Sequence, residues 1–147
     1  MRLPITALRR TPEEKRDINL SWARPDVHFF SAGACHILAF AFLEAYPVAG
    51  FRPRFIRPQP GFGGSHVYVT DDQTAFDAQG YILQAELLEL HRAAMDAAEP
   101  GWHADLLDVD EPLAQFCAAN NHRPPWDFPL GVWERAKRYL ETFPAPR

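Results

Sequence analysis

Apolar residues first recur at helical spacing between residues 34 and 46, directly after the small residues Ser31-Ala32-Gly33. One side of this predicted helix carries Ile37, Leu38, Ala41, Phe42 and Ala45, and the stripe is widened by Phe40 and Leu43. An apolar stripe of this width is typical of a helix that lies inside a core. Tyr46-Pro47 ends the pattern, because a residue that precedes proline disfavours the helical conformation.

Alternating residues follow at 66–70 (His-Val-Tyr-Val-Thr) and at 75–79 (Ala-Phe-Asp-Ala-Gln), and the polar residues between them favour a hairpin. A two-residue loop at 72–73 would place residue 66 opposite 79, and a four-residue loop at 70–73 would place it opposite 77. In either register, one face carries His66, Tyr68, Asp77 and Gln79, and the other carries Val67, Val69, Phe76 and Ala78. A three-residue loop would break this sharing of faces. We expect the apolar face to pack on the core and the polar face to meet the start of the 34–46 helix.

The rest of the pattern predicts a mixed chain of short elements. Thr11-Pro12 has the form of a helix start. Residues 51–56 form a predicted short strand, which Pro53 limits to a sheet edge or a bulge. Gly80 is expected to end the second hairpin strand. Three further helices are predicted, from Leu83 to about Glu99, from Pro112 to Ala119 and from Pro129 to Phe143. A further strand is predicted from Trp102 to Leu107.

Residues 58–64 (Pro-Gln-Pro-Gly-Phe-Gly-Gly) form a predicted loop that leads directly towards His66. Its glycine and aromatic content suits a mobile flap beside a cleft. It suits a rigid connector with difficult turns equally well, and the sequence leaves both interpretations open.

The composition, with 47% hydrophobic and 23% charged residues in a chain of 147, is that of an ordinary globular protein. The length predicts a single domain over residues 1–147. The N-terminus lacks the long apolar stretch of a signal peptide, and no run approaches membrane-spanning length. We therefore expect a cytoplasmic protein without a membrane partner, while secretion without a cleaved signal stays open.

The net charge of −4 is unevenly divided along the chain. Residues 1–60 carry nine Lys or Arg against five Asp or Glu, and residues 61–147 carry six against fourteen. Such a split can steer charged partners. Because there is no dense basic stripe with interleaved aromatic residues, we expect no binding to nucleic acid.

The candidate chemistry begins with Cys35, at the start of the predicted 34–46 helix. Unpaired backbone N–H groups and the positive end of the helix dipole would lower the pKa of its thiol and populate the nucleophilic thiolate. A nucleophilic Cys needs a base and a group that orients the base. His66 and Asp77, on one face of the hairpin, are the candidates.

The other titratable residues suggest simpler roles. Cys117 lies in an apolar helical stretch and is expected to be a buried small hydrophobe, although a Cys35–Cys117 disulfide is possible. His36 points about 100° away from Cys35 on an ideal helix and is expected to be structural or to line the cleft. His91, His103 and His122 lack the spacing of a metal pair, so no metal site and no cofactor are expected.

Three short motifs occur in order along the chain: Cys35-His36-x-x-Ala39, His66-Val67-x-Val69 and Asp77-Ala78-x-Gly80. This arrangement resembles the papain-like superfamily of cysteine hydrolases, and in particular small bacterial and phage proteins of its NlpC/P60 or transglutaminase-like branches. The resemblance covers roughly residues 31–82. It implies an α+β fold in which a buried helix carrying Cys packs against a small antiparallel sheet carrying His and Asp, with additional C-terminal helices. It also implies Cys35 as nucleophile, His66 as general base and then acid, and Asp77 as the orienting residue.

In papain-type proteases a Gln six residues before the nucleophile helps to form the oxyanion hole. Phe29 occupies that position here, so His28 or Ser31 is the expected alternative donor, and His36, Tyr68 and Gln79 are expected to contribute to the cleft. The implied activity is a cysteine-dependent hydrolase or acyl transferase acting on an amide bond of a protein or peptide, with a thioester intermediate. Two alternatives stay open: a non-catalytic adaptor or immunity module on the same fold, and an enzyme of lipid or small-molecule acyl transfer.

Overall fold

The computed structural model describes residues 2–147 and has an α+β fold, as the sequence predicts. Five helices come first along the chain, four strands follow, and a fifth strand lies between the last three helices; the five strands form one antiparallel sheet. The helices are α1 (Ile5–Leu8), α2 (Pro12–Arg16), α3 (Ile18–Trp22), α4 (Asp26–Phe29), α5 (Cys35–Ala45), α6 (Gln84–Ala98), α7 (Leu113–Asn120) and α8 (Val132–Leu140), with a 3-10 turn at Pro125–Asp127. The strands are β1 (Arg52–Pro58), β2 (His66–Thr70), β3 (Thr74–Asp77), β4 (Gly80–Leu83) and β5 (Ala104–Asp108).

The strands lie in the order β4-β3-β2-β1-β5, which makes β2 the central strand. The prediction that Pro53 confines its strand to an edge or a bulge is wrong, because β1 pairs with β2 on one side and β5 on the other. Pro53 is tolerated since it is the second residue of the strand, and pairing with β5 begins only at Arg54.

The β2–β3 hairpin has the register of the two-residue loop, with Val69 opposite Phe76 and Thr70 opposite Ala75. The second strand ends earlier than predicted, at Asp77. Gly80, with φ of +96°, closes a tight turn and begins β4, a strand that the sequence analysis missed. Gln79 therefore lies in the turn instead of on the strand face that carries His66.

The apolar face of the hairpin packs on the core, as predicted. Val67, Val69 and Phe76 join buried residues of α5 and of α8 in the larger of two hydrophobic clusters. Helix α5 is buried along most of its length, because the sheet covers one side and α8 covers another. This packing fixes the position of Cys35 at the first turn of α5.

The opposite face of the hairpin was expected to be polar and to meet Cys35, but most of it is covered by other residues. Tyr68 is fully buried there, in a second hydrophobic cluster with Leu87 and Met95 of α6 and with Trp102. Because α6 covers this face, only its His66 end is left near α5.

Helices α6, α7 and α8 confirm the three helices predicted after the hairpin, and the capping box of α2 confirms the helix start at Thr11. The loop after β1 is held by its neighbours: Trp102 donates to the Gly63 carbonyl at 2.7 Å, and His91 contacts the Gly64 carbonyl at 2.6 Å. Among residues 2–147, none of the helices combines the length and apolar character needed to cross a bilayer.

Candidate active site

Cys35 is the first residue of α5, and the residue is 7% exposed. The preceding Ala34 provides no side-chain cap, so the first N–H groups of the helix are left to ligands or solvent. The Val67 N–H donates to Cys35 Sγ at 3.4 Å, which fixes the thiol beside the start of β2. The sulfur therefore lies at the positive end of the helix dipole and against the strand that carries His66.

His66 is the first residue of β2, and Asp77 is the last residue of β3. The register places them diagonally across the hairpin, and His66 Nε2 lies 3.1 Å from Asp77 Oδ2. Both side chains are largely buried. This contact orients the imidazole and leaves its Nδ1 for another partner.

Asp77 is itself held by two further groups. Arg2 Nη2 lies 3.1 Å from both carboxylate oxygens, and the Gln79 N–H donates to Oδ1 at 2.9 Å. The N-terminal segment continues along the same turn, where Leu3 and the Gln79 side chain exchange two hydrogen bonds. Because the carboxylate accepts bonds from Arg2 and from the Gln79 N–H, its rotamer is fixed against His66.

Cys35, His66 and Asp77 change one another's pKa values. Burial alone would raise the pKa of the Cys35 thiol, but hydrogen bonding to His36 and His66 and the charges of both rings hold it well below its ordinary value. Burial alone would lower the pKa of His66, but Asp77 and the sulfur of Cys35 raise it to about 10. Burial opposes ionisation of Asp77, yet its pKa is lowered by His66 and then by Arg2. These shifts favour a thiolate–imidazolium pair with a charged carboxylate behind it.

His36, the second histidine near the sulfur, is almost fully buried and lines the same cavity as Cys35. Its Nε2 lies 2.7 Å from the Arg123 carbonyl oxygen, and its ring meets the His122 ring edge-on at 5.0 Å. Within residues 2–147, no carboxylate orients this ring as Asp77 orients His66. The geometry therefore favours His66 as the base, and His36 forms part of the cavity wall.

His91 of α6 is a site residue that the sequence analysis missed. Its ring stacks on the ring of His66, with centroids 5.5 Å apart and planes 15° apart. Burial first, and then the charge of His66, lower the pKa of His91 to about 4, so it is neutral beside the imidazolium. A signal was present in the sequence, since Leu87, His91 and Met95 recur every fourth residue on the buried side of α6.

A cavity of about 370 Å³ opens onto the sulfur. It is lined by Cys35, His36, His66, Asp77 and His91, and also by residues of the N-terminal segment and of the loop after α7. The thiol, the imidazole and the carboxylate are thus together at one cavity wall, where a substrate of moderate size can reach them.

The remaining candidates fall in different places. Ser31 and Gln79 line the cavity, although the Gln79 side chain is engaged by Leu3. Tyr68 lies under α6, where its hydroxyl donates to Gln84 at 2.7 Å, and His28 lies on α4 away from the cavity lining. Neither residue is placed to contribute to the cleft as expected. For Tyr68, the alternation along the strand predicts which face of the sheet carries the side chain, but it does not predict that α6 covers that face.

Cys117 is buried and free, as is Cys35, so the possible disulfide between them is absent. The interpretation of Cys117 as a buried small hydrophobe is confirmed, since it packs in the main core cluster. Among residues 2–147, no group of three or more His, Cys, Asp or Glu side chains is arranged to hold a metal ion.

Comparison of the chain with protein-family models, with curated proteins and with solved structures finds no match in any of the three.

Proposed function

We propose that this chain is a cysteine-dependent hydrolase or acyl transferase that acts on an amide bond of a protein or peptide. The observation that carries the proposal is the imidazole of His66, which contacts the Asp77 carboxylate at 3.1 Å and interacts with the Cys35 thiol. A nucleophile, a base and a group that orients the base are the parts that covalent acyl transfer requires. Asp77 in the third role suits the transglutaminase-like branch of the papain-like superfamily.

Two further features support the papain-like assignment. The nucleophile begins a buried helix, and the base and the carboxylate follow on consecutive antiparallel strands, which is the order that the resemblance implies. The resting state is a thiolate–imidazolium pair, since the pKa of the thiol is lowered and that of the ring is raised. Cys35 is then already ionised when the substrate arrives.

The thiolate attacks the carbonyl carbon of the substrate and forms a C–S bond, while the carbonyl electron pair moves onto oxygen. The backbone N–H of Cys35, at the uncapped start of α5, is positioned to donate to that oxyanion. His66 gives its proton to the amine as the C–N bond breaks, which leaves a thioester on Cys35. Water or a second amine then loses a proton to His66 and attacks the thioester, and the thiolate leaves.

The test uses Cys117 as an internal reference, because it is a second buried thiol with a different environment. Its ring partner is His36, and among residues 2–147 no carboxylate pairs with that ring as Asp77 pairs with His66. We expect iodoacetamide at pH 7 to alkylate Cys35 at least about tenfold faster than Cys117, as peptide mapping by mass spectrometry would measure, because the reactive form is the thiolate. The rate at Cys35 should fall in His66→Ala and stay unchanged in His103→Ala, which removes an exposed histidine outside the cavity lining. Slow and equal labelling of both thiols would overturn the proposal and favour the non-catalytic module.

A further inference from the structure

The cavity that opens onto Cys35 has a charge opposite to that of the whole chain. Among the described residues that line it, five are Arg or Lys, and the only carboxylate is Asp77. The chain as a whole has a net charge of −4. A concave site of one sign within a molecule of the other sign attracts ligands of the complementary charge, here anions.

Three of these cations already have partners within the chain. Arg2 binds Asp77, and Arg9 lies 4.0 Å from Glu99. Arg123 donates to the Asp127 carbonyl at 3.1 Å. Each of these three side chains is therefore tied to another part of the described chain by a contact of 4.0 Å or less.

Arg10 differs from these three. Among residues 2–147, no carboxylate lies within ion-pair distance of its guanidinium, although the side chain is partly buried. Burial lowers the pKa of Arg10, and the largest opposing effect is the charge of the Cys35 sulfur. Lys15 also lacks an ion-pair partner among the described residues, but it is exposed at the cavity mouth.

The absence of a side chain at Gly33 leaves room for the guanidinium of Arg10 near the nucleophile. A Cβ atom at Gly33 would lie 2.9 Å from Arg10 Cζ and Nη1, so the glycine allows the side chain to lie directly against the backbone two residues before Cys35. A planar guanidinium with free N–H donors is suited to a carboxylate or a phosphate, which it can bind through two parallel hydrogen bonds.

We propose that Arg10 forms a subsite for an anionic group, a carboxylate or a phosphate, that the substrate carries close to the carbonyl attacked by Cys35. This inference rests on the proposed function and narrows its substrates to acidic acyl compounds, such as peptides with a carboxylate or a phosphorylated side chain beside the scissile amide. Arg10 acts as a specificity-determining residue, since it binds the substrate without taking part in proton transfer.

Two alkylating reagents distinguish anion binding at this subsite from the general reactivity of the Cys35 thiol. Iodoacetate and iodoacetamide both form a C–S bond with the thiolate and release iodide, but only iodoacetate brings a carboxylate to the site. The measured quantity is the ratio of the iodoacetate rate to the iodoacetamide rate at Cys35, compared with the same ratio for free N-acetylcysteine. We expect the ratio to be about tenfold higher at Cys35, the size of effect that one charge-assisted hydrogen bond provides.

In Arg10→Gln the ratio should fall about tenfold, and Arg10→Lys should retain part of the preference as a point charge. Arg16→Gln is the matched control, because it removes the same charge from an exposed position that does not line the cavity. Its ratio should equal that of the wild type. At constant ionic strength, protection of Cys35 by acetate or by inorganic phosphate identifies which anion the subsite prefers.

A ratio at Cys35 equal to that of N-acetylcysteine, or one that Arg10→Gln leaves unchanged, would overturn the subsite. Failure of the proposed function would be visible separately, as an iodoacetamide rate at Cys35 no faster than that at Cys117. The wild-type ratio tests the anion preference of the cavity without any variant, and Arg10→Lys, which keeps the charge, tests the role of Arg10 if Arg10→Gln does not fold.

Discussion

Replacement of Asp77 by Asn keeps the size of the side chain and removes the charge behind His66. Asp77 lies 3.1 Å from His66 Nε2, and both side chains are largely buried, so the lost bond is charge-assisted and poorly screened. Such a bond contributes about 1.5–3 kcal/mol, and each pKa unit corresponds to about 1.4 kcal/mol. Since Arg2 also binds this carboxylate and offsets part of its charge, we expect the imidazolium to lose about one to two pKa units.

The assay is the rate of Cys35 alkylation by iodoacetamide as a function of pH. A less stable imidazolium stabilises the thiolate less, so the midpoint at which the rate rises should move to higher pH by about one to two units in Asp77→Asn. The matched control is Asp105→Asn, which removes an exposed carboxylate on the edge strand β5. If Asp77→Asn and Asp105→Asn gave the same profile as the wild type, the view that Asp77 holds the charge on His66 would be refuted.

Two further predictions concern the support of the site. Gly64 and Gly61 both have positive φ, but a Cβ would lie 2.3 Å from Met95 Sδ at Gly64 and would meet nothing within 4 Å at Gly61. Urea unfolding should therefore show a loss of about 1 kcal/mol for Gly61→Ala and about 2–4 kcal/mol for Gly64→Ala, and equal losses would contradict the close packing. The pKa of His91 is about 4 in the folded chain and 6.5 as an ordinary value, so the unfolded state binds the extra proton between these pH values. The free energy of unfolding should therefore fall by up to about 3 kcal/mol as the pH drops from 6.5 to 4. His91→Gln should reduce this loss. If the variant had the same pH dependence as the wild type, the role of His91 would be disproved.

The sequence predicted the candidate triad because strands and helices have fixed periods. The two-residue alternation kept His66 and Asp77 on one face in both registers considered, and the observed register is one of them. The start of α5 at Cys35 followed from the small residues that precede an apolar run. Both inferences depend on local geometry, which a single sequence encodes directly.

The parts that were missed depend on contacts between distant segments. Whether the hairpin face with Tyr68 meets solvent or a helix is decided by α6, which begins after the hairpin has ended. Arg2 lies 75 residues before Asp77, and no helical or strand periodicity relates two residues so far apart. Gly80 is predicted to end a strand, but its positive φ forms the turn from which β4 starts, and this turn depends on the pairing of β3 with β4.

The ionisation state of Cys35 tests the central claim most directly. The ultraviolet absorbance of its thiolate can be followed against pH as the difference between the wild type and Cys35→Ser. Because His66 and His36 lower the pKa of this thiol, we predict that the thiolate is already present at pH 7 and disappears only on further acidification. A thiolate that forms only near or above pH ~8.5, as in an unperturbed cysteine, would contradict the account.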